Sequence, residues 1–134
     1  MILDSTYLGD LVAADSDAVA LSKRIDTSGE PVRVPAAVVW ELFYGLGKLG
    51  ETERATTLRR KYAAVLGGTV PTDLTDGVAR RAGTLRGKHA ASDRLADLDG
   101  ADSVVAAHGL ALGEPVVSND EDLQDVEGLD VVTY

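Results

Sequence analysis

The sequence predicts a single α/β domain, a central parallel sheet flanked by helices. Three observations predict it. Short apolar runs alternate with amphipathic, helix-forming stretches, and no hairpin signal joins any two of the runs. The runs are almost wholly apolar rather than alternating, as expected of strands covered on both faces. The chain has 134 residues, the size of one ordinary domain of about 100–150 residues.

The elements follow in order. "MILD" is an apolar run ending in Asp4 and suits a buried first strand. "STYLGDLVAA" begins a helix, with Ser5 or Thr6 available to cap it. "DSDAVALSKRID" is a second helix, closed by Ser28-Gly29. "PVRVP" is a strand-length piece leading into the helix "AAVVWELFYGLGKLG". "ETERATTLRRKYAAVLGG" is a strongly periodic helix ended by Gly67-Gly68. "TVPTD" is a brief strand candidate, and Thr75 or Asp76 starts the helix "GVARRAGTLRGKHAA". Asp102 starts the next helix; the strand "EPVVSND", the short turn or helix "EDLQDVEG" and the strand "LDVVTY" complete the chain. No repeat, linker or low-complexity segment interrupts this alternation.

Composition narrows the functional classes. Hydrophobic residues make up 45% of the chain, enough for a core, and Cys is absent. That absence removes disulfides, thiolate catalysis and Cys-based zinc sites together. No apolar run approaches the roughly 20 residues of a spanning helix, and no basic-then-apolar leader opens the sequence. A soluble, cytoplasmic protein without a membrane partner is expected. The net charge is −9, with Asp outnumbering Glu and Arg outnumbering Lys. Such a surface repels a polyanion through its mean field. The same bias suits a halophilic protein, because high salt screens that repulsion. Charge therefore leaves a nucleic-acid partner open.

The acids are the chemically informative residues. In open parallel sheets the ligand site lies beyond the C-terminal ends of the strands. Asp4 ends the first strand and Asp120 ends "VVSN", so both point to one edge. Asp102 starts a helix near the C-terminal edge of the preceding strand and can reach the same region. Glu41 falls at the margin of an apolar helix face that runs through Val38, Leu42, Leu46 and Leu49, beside Gly45. Alone it reads as a solvated residue; only its company raises it.

"MILDSTYL", "VPAAVVWELFYGL" and "DSVVAAHGLALGEPVVSNDEDL" resemble, in order and spacing, the acidic motifs of PIN-domain ribonucleases, best of all the small VapC-type toxins of toxin–antitoxin pairs. The resemblance spans nearly the whole chain. Matched motif to motif, the family's four acids fall on Asp4, Glu41, Asp102 and Asp120. Ser5-Thr6 stands where the family often has Thr-Asn after the first acid, and Ser118-Asn119 is a variation on a usual Thr. Asp122 competes with Asp120 for the fourth role.

The resemblance implies a single PIN-like domain over residues 1–134 and a metal-dependent endoribonuclease. Four carboxylates in one pocket raise one another's pKa values unless a cation offsets them. Oxygen ligands with open positions suit Mg²⁺ or Mn²⁺. Asp4 and Asp102 are expected closest to the metal, with Glu41 and Asp120 completing the site. The implied partners are an RNA substrate, a cognate antitoxin and a second copy in a homodimer. The alternatives are a PIN nuclease of RNA processing, or a catalytically silent RNA-binding module, outside any toxin–antitoxin pair. A nucleotide binder is disfavoured, because "DSTYLGD" has no Gly-rich loop. A receiver-type regulatory domain is disfavoured too, because "VRVP" and "TVP" end in Pro where an acceptor Asp would stand.

Plainer roles account for the remaining polar residues. Asp99 and Asp102 form an Asp-x-x-Asp pattern that also suits a capping box; Asp99 reads as the cap and Asp102 as the ligand. Asp97 reads as solvated, His108 as packed in its helix, and His89 as a surface residue beside Lys88. Arg59-Arg60-Lys61 and Arg80-Arg81 with Arg86 and Lys88 read as solvated faces and also as the places where an RNA backbone finds cations. The sole Trp and sole Phe share one helix. Its aromatics read mostly as core, with Trp40 or Tyr44 available for a dimer or partner interface.

Overall fold

Five strands pair in parallel in the order β3-β2-β1-β4-β5 in the computed structural model, which describes residues 1–134. They are β1 (Ile2–Leu3), β2 (Arg33–Pro35), β3 (Val70–Thr72), β4 (Val116–Val117) and β5 (Val131–Val132). The helices are α1 (Ser5–Val12), α2 (Ser16–Ser28), α3 (Ala36–Leu49), α4 (Glu53–Leu66), α5 (Asp76–Ala90), α6 (Gly100–Leu112) and α7 (Glu121–Gln124). The chain moves outward from β1 to β3, then returns to the far side of β1 with β4 and β5. The strand order thus reverses between β1 and β4, and a parallel sheet opens its ligand crevice at such a point.

Burial explains the sequence pattern. Ile2, Val116 and Val117 are fully buried, packed with Leu8 of α1, Val38 and Leu42 of α3, and Val105 and Ala106 of α6. Each of these Ile, Leu and Val side chains contributes about 1.5–3 kcal/mol on burial. α6 is covered on nearly every side, with residues 103–109 all buried, which is why its sequence is apolar all round. Its Gly109 is required by close approach: a Cβ there would stand 2.5 Å from Leu129 Cδ1 and 3.0 Å from Val116 Cγ2. The edge strand β3 departs from the expected burial, since Val70 is 45% exposed; β3 has a neighbour on one side alone, and Pro71 sits where a missing N–H is tolerated.

Three local expectations are corrected. Asp4, not Ser5 or Thr6, caps α1, its carboxylate accepting from Ser5 N. His89 is buried rather than on the surface, because its Nδ1 pairs with Ala96 O at 2.8 Å where the chain folds back after α5. Trp40, Phe43 and Tyr44 are 66%, 44% and 57% exposed and are not core residues; α3 buries the opposite stripe, Val38, Leu42 and Leu46.

Candidate active site

Asp4 follows β1 directly and is 1% exposed. Its Oδ1 accepts from Ser5 N at 2.6 Å, and its Oδ2 accepts from the Ser118 hydroxyl at 2.8 Å. Burial pushes its carboxyl above the ordinary value, against the hydrogen bonds from Ser118, Ser5 and Thr6. Ser118 follows β4, and its Oγ also accepts from Asp120 N at 3.0 Å. One buried hydroxyl thus ties the ends of β1 and β4 across the switch point.

The other acids reach this edge from helices. Asp99 caps α6, its Oδ1 accepting from Asp102 N at 2.9 Å. Asp102 therefore does not start the helix but stands in its first turn, half-buried. Its carboxyl is pushed up to about 7, first by burial and then by Asp99, Asp4, Asp120 and Glu41. Four acids thus lie near enough to Asp102 to oppose its charge. Glu41 does so from α3: burial raises its pKa, the Ser5 side chain opposes the rise, and Asp99 and Asp4 add to it. Glu41 Oε2 is buried with no hydrogen-bond partner. Such an atom carries a desolvation cost that a donor or cation would relieve.

Asp120 caps α7, its Oδ1 accepting from Asp122 N at 2.9 Å. Asp122 stands in the first turn of α7. Burial raises its pKa first, followed by Asp120, Asp125, Asp97 and Glu121, with none of Asp4, Glu41 or Asp102 among the causes. As the side chains stand, no three His, Asp or Glu groups close on one coordination point. The donor set nevertheless suits a hard divalent cation: oxygen atoms only, an orphaned buried carboxylate oxygen, and mutual repulsion that a positive charge would offset.

Sequence reasoning passed over Ser118 as a mild variation. The available signal was a small hydroxyl residue at the exact end of a buried strand, adjacent to the expected site. The basic patches are partly structural. Lys61 Nζ donates to Val12 O at 2.7 Å, and Arg80 pairs with Asp76 on the surface. A wide hollow of about 700 Å³ at the start of α4, with Glu51, Glu53, Arg59 and Arg60 in its lining, contains none of the four carboxylates.

The family described as the PIN domain matches residues 1–129. No curated protein matches the sequence. Solved structures share the fold at low identity. VapBC2 from Rickettsia felis, bound to a DNA fragment from its promoter, is 16% identical over 98% of this chain and 96% of that one, with a TM-score of 0.81. DNA-bound VapBC from Salmonella typhimurium is 18% identical over 98% and 96%, with a TM-score of 0.74. VapC20 from Mycobacterium tuberculosis, a toxin that cleaves the sarcin–ricin loop, is 16% identical over 92% of each chain, with a TM-score of 0.65.

Proposed function

This chain belongs to the PIN domain family, and from that premise we propose that it is a divalent-cation-dependent endoribonuclease, the toxin of a toxin–antitoxin pair. The observation that carries the reading is buried Asp4, tied to Ser118 across the switch point of the sheet, with Glu41, Asp99 and Asp120 near enough to join it in opposing the charge on Asp102. Mutual repulsion at the mouth of a fold is costly, and a bound cation offsets it.

Asp4, Glu41, Asp102 and Asp120 would hold Mg²⁺ or Mn²⁺, whose chemistry is to polarise the phosphodiester and make a coordinated water more acidic. The chain's own groups prepare that chemistry. Ser118 and the Ser5 amide fix both Asp4 oxygens in place. The partnerless Glu41 Oε2 is free to accept. The positive end of the α6 dipole favours the charged form of Asp102 in its first turn. RNA is the substrate class, and the work is assigned to the cytoplasm. The VapBC complexes among the structural relatives support an antitoxin partner for this chain as well, and a homodimer is proposed with it. The surplus of 22 acids over 13 Lys and Arg fits a saline milieu.

The test is RNA cleavage by the purified, antitoxin-free protein with Mn²⁺ or Mg²⁺ and then with chelator. Cleavage that stops in chelator and returns with the ion is expected; cleavage that persists in chelator rejects the metal mechanism. Expression in a host should arrest growth, and co-expression of the cognate antitoxin should relieve the arrest. Cleavage without arrest would instead leave a nuclease of RNA processing.

A further inference from the structure

We propose that the Asn119 side chain and Tyr134 form a latch that holds the Ser118–Asp120 turn to α1, and that both are positioning residues for Asp120 at the cation site. The proposal rests on the nuclease reading above and deepens it by naming what fixes one of its four acids. Strands β4 and β5 pair in parallel, and just beyond them Ser118 N donates to Val132 O at 3.1 Å. Continued in even steps, that ladder would next bond Tyr134 N to Ser118 O and Asp120 N to Tyr134 O. The Asn119 side chain takes both places instead. Its Oδ1 accepts from Tyr134 N at 2.9 Å, and its Nδ2 donates to Tyr134 O at 3.0 Å. A side-chain amide can do this because it offers an acceptor and a donor side by side. Asp120 N is left to donate to the Ser118 hydroxyl at 3.0 Å, the same hydroxyl that donates to Asp4 Oδ2. The main chain can therefore leave the sheet where Asp120 has to turn, without stranding the backbone groups of Tyr134.

Tyr134 carries the tie onward. Its hydroxyl donates to Asp10 Oδ2 at 2.7 Å, and its ring meets Tyr7 edge-on, with centroids 5.1 Å apart and planes at 71°. Both partners lie on α1, the helix that Asp4 caps, and Tyr7 is buried. Burial first, and then Asp10, raise the pKa of the phenol, with Asp4 and Asp15 adding to the rise, so the hydroxyl stays a donor. The turn that carries Asp120 is thus bound to α1 and its cap in two places. Ser118 makes one tie directly to Asp4, and Asn119 makes the other through Tyr134. A single bond lets a turn pivot, whereas a second one from the neighbouring residue fixes its orientation. Groups behind a metal ligand set its aim in this way.

Asn119 is exposed, so Asn119→Ala should fold while losing both bonds to Tyr134. In metal-free protein the Asp120 amide should lose protection from hydrogen exchange, read by NMR. By calorimetry, Mn²⁺ should bind about tenfold more weakly, the lower end of what losing a group behind a metal ligand costs. Tyr134→Phe keeps the ring against Tyr7 and the backbone bonds to Asn119, and should show a smaller loss of both. In an Asp120→Ala background, Asn119→Ala should weaken Mn²⁺ no further, because a latch acting through Asp120 then has nothing to aim; a double-mutant cycle reads that coupling. Wild-type protection and Mn²⁺ affinity in either variant overturn the proposal. So does a tenfold loss that persists in the Asp120→Ala background, because Asn119 then acts elsewhere. Mn²⁺ binding and RNA cleavage by wild type that Asn119→Ala leaves intact remove the latch alone. A wild type that binds no Mn²⁺, with protection at Asp120 still lost in both variants, removes the cation reading alone, since the turn is then held as described with no ion to serve.

Discussion

The Ser118 hydroxyl donates to Asp4 Oδ2 at 2.8 Å, and both residues are buried. This bond joins the C-terminal ends of the two strands between which the sheet order reverses. Hydrogen bonds to charged groups contribute about 1.5–3 kcal/mol, more than neutral ones. Ser118→Ala should therefore lower stability by about that amount. It should also lower cleavage, because Asp4 loses the partner that fixes one oxygen. Ser118→Thr, which keeps the hydroxyl, should cost less in both. A denaturant melt of Ser118→Ala that overlays wild type would show that the hydroxyl is dispensable.

Asp99 and Asp102 should separate by their responses. Asp99→Ala removes the cap of α6 and should cost about 0.5–2 kcal/mol of stability while leaving most of the cleavage. Asp102→Asn should abolish cleavage, because a charged oxygen is lost from the cation site. Its stability follows from sign. Asp102 titrates near 7 in the fold against an ordinary 3.8, so the folded protein binds the extra proton between those values. Stability from this group thus falls as pH rises from about 4 to 7. Without divalent ion, Asp102→Asn should melt higher than wild type above pH 7, and the advantage should vanish near pH 4. Active Asp102→Asn beside folded, inactive Asp99→Ala would reverse the two assignments.

How much of this was legible in the sequence depends on how local each cause is. Asp4 and Asp120 end apolar runs, so the strand-edge rule alone brings them to one side. Gly29 and Thr75 announce helix ends by their own chemistry, and both are caps in the structure. Glu41 was not legible by pattern, since a helix margin does not say what lies opposite it; Ser5 and Asp4 come from another element. The exposure of Trp40, Phe43 and Tyr44 was hidden for the converse reason. Apolar residues inside is a one-way rule, and surfaces keep many of them. His89 was hidden because its partner, Ala96 O, lies in a loop with no periodicity to read.

His108 gives a pH prediction of the opposite sign. It is 5% exposed, its Nε2 lacks a partner, and burial lowers its pKa below the ordinary 6.5. The unfolded chain therefore binds a proton first as pH falls below about 6.5, and stability from this site is lost on acidification. His108→Gln, neutral at every pH, should show a smaller drop in melting temperature between pH 7 and pH 5 than wild type does. Equal drops in the two proteins would mean that His108 charges inside the fold without cost.

The acid surplus makes a prediction about salt. With 22 acids against 13 Lys and Arg and only three ion pairs, self-repulsion acts over the whole surface. General screening is nearly complete once the Debye length falls to about 3 Å, near 1 M salt. The melting temperature should therefore climb with KCl and level off toward that concentration. RNA affinity involves two opposed effects. Counterion release weakens phosphate contacts as salt rises, by nearly one power of salt concentration per contact, while screening removes the repulsion between the acidic surface and the polyanion. The slope of log affinity against log KCl should accordingly be shallower than the number of phosphate contacts implies, and cleavage should persist at high salt. A melting temperature that stays flat across this range, with a full counterion-release slope, would remove the saline reading and leave the acids of the pocket unaffected.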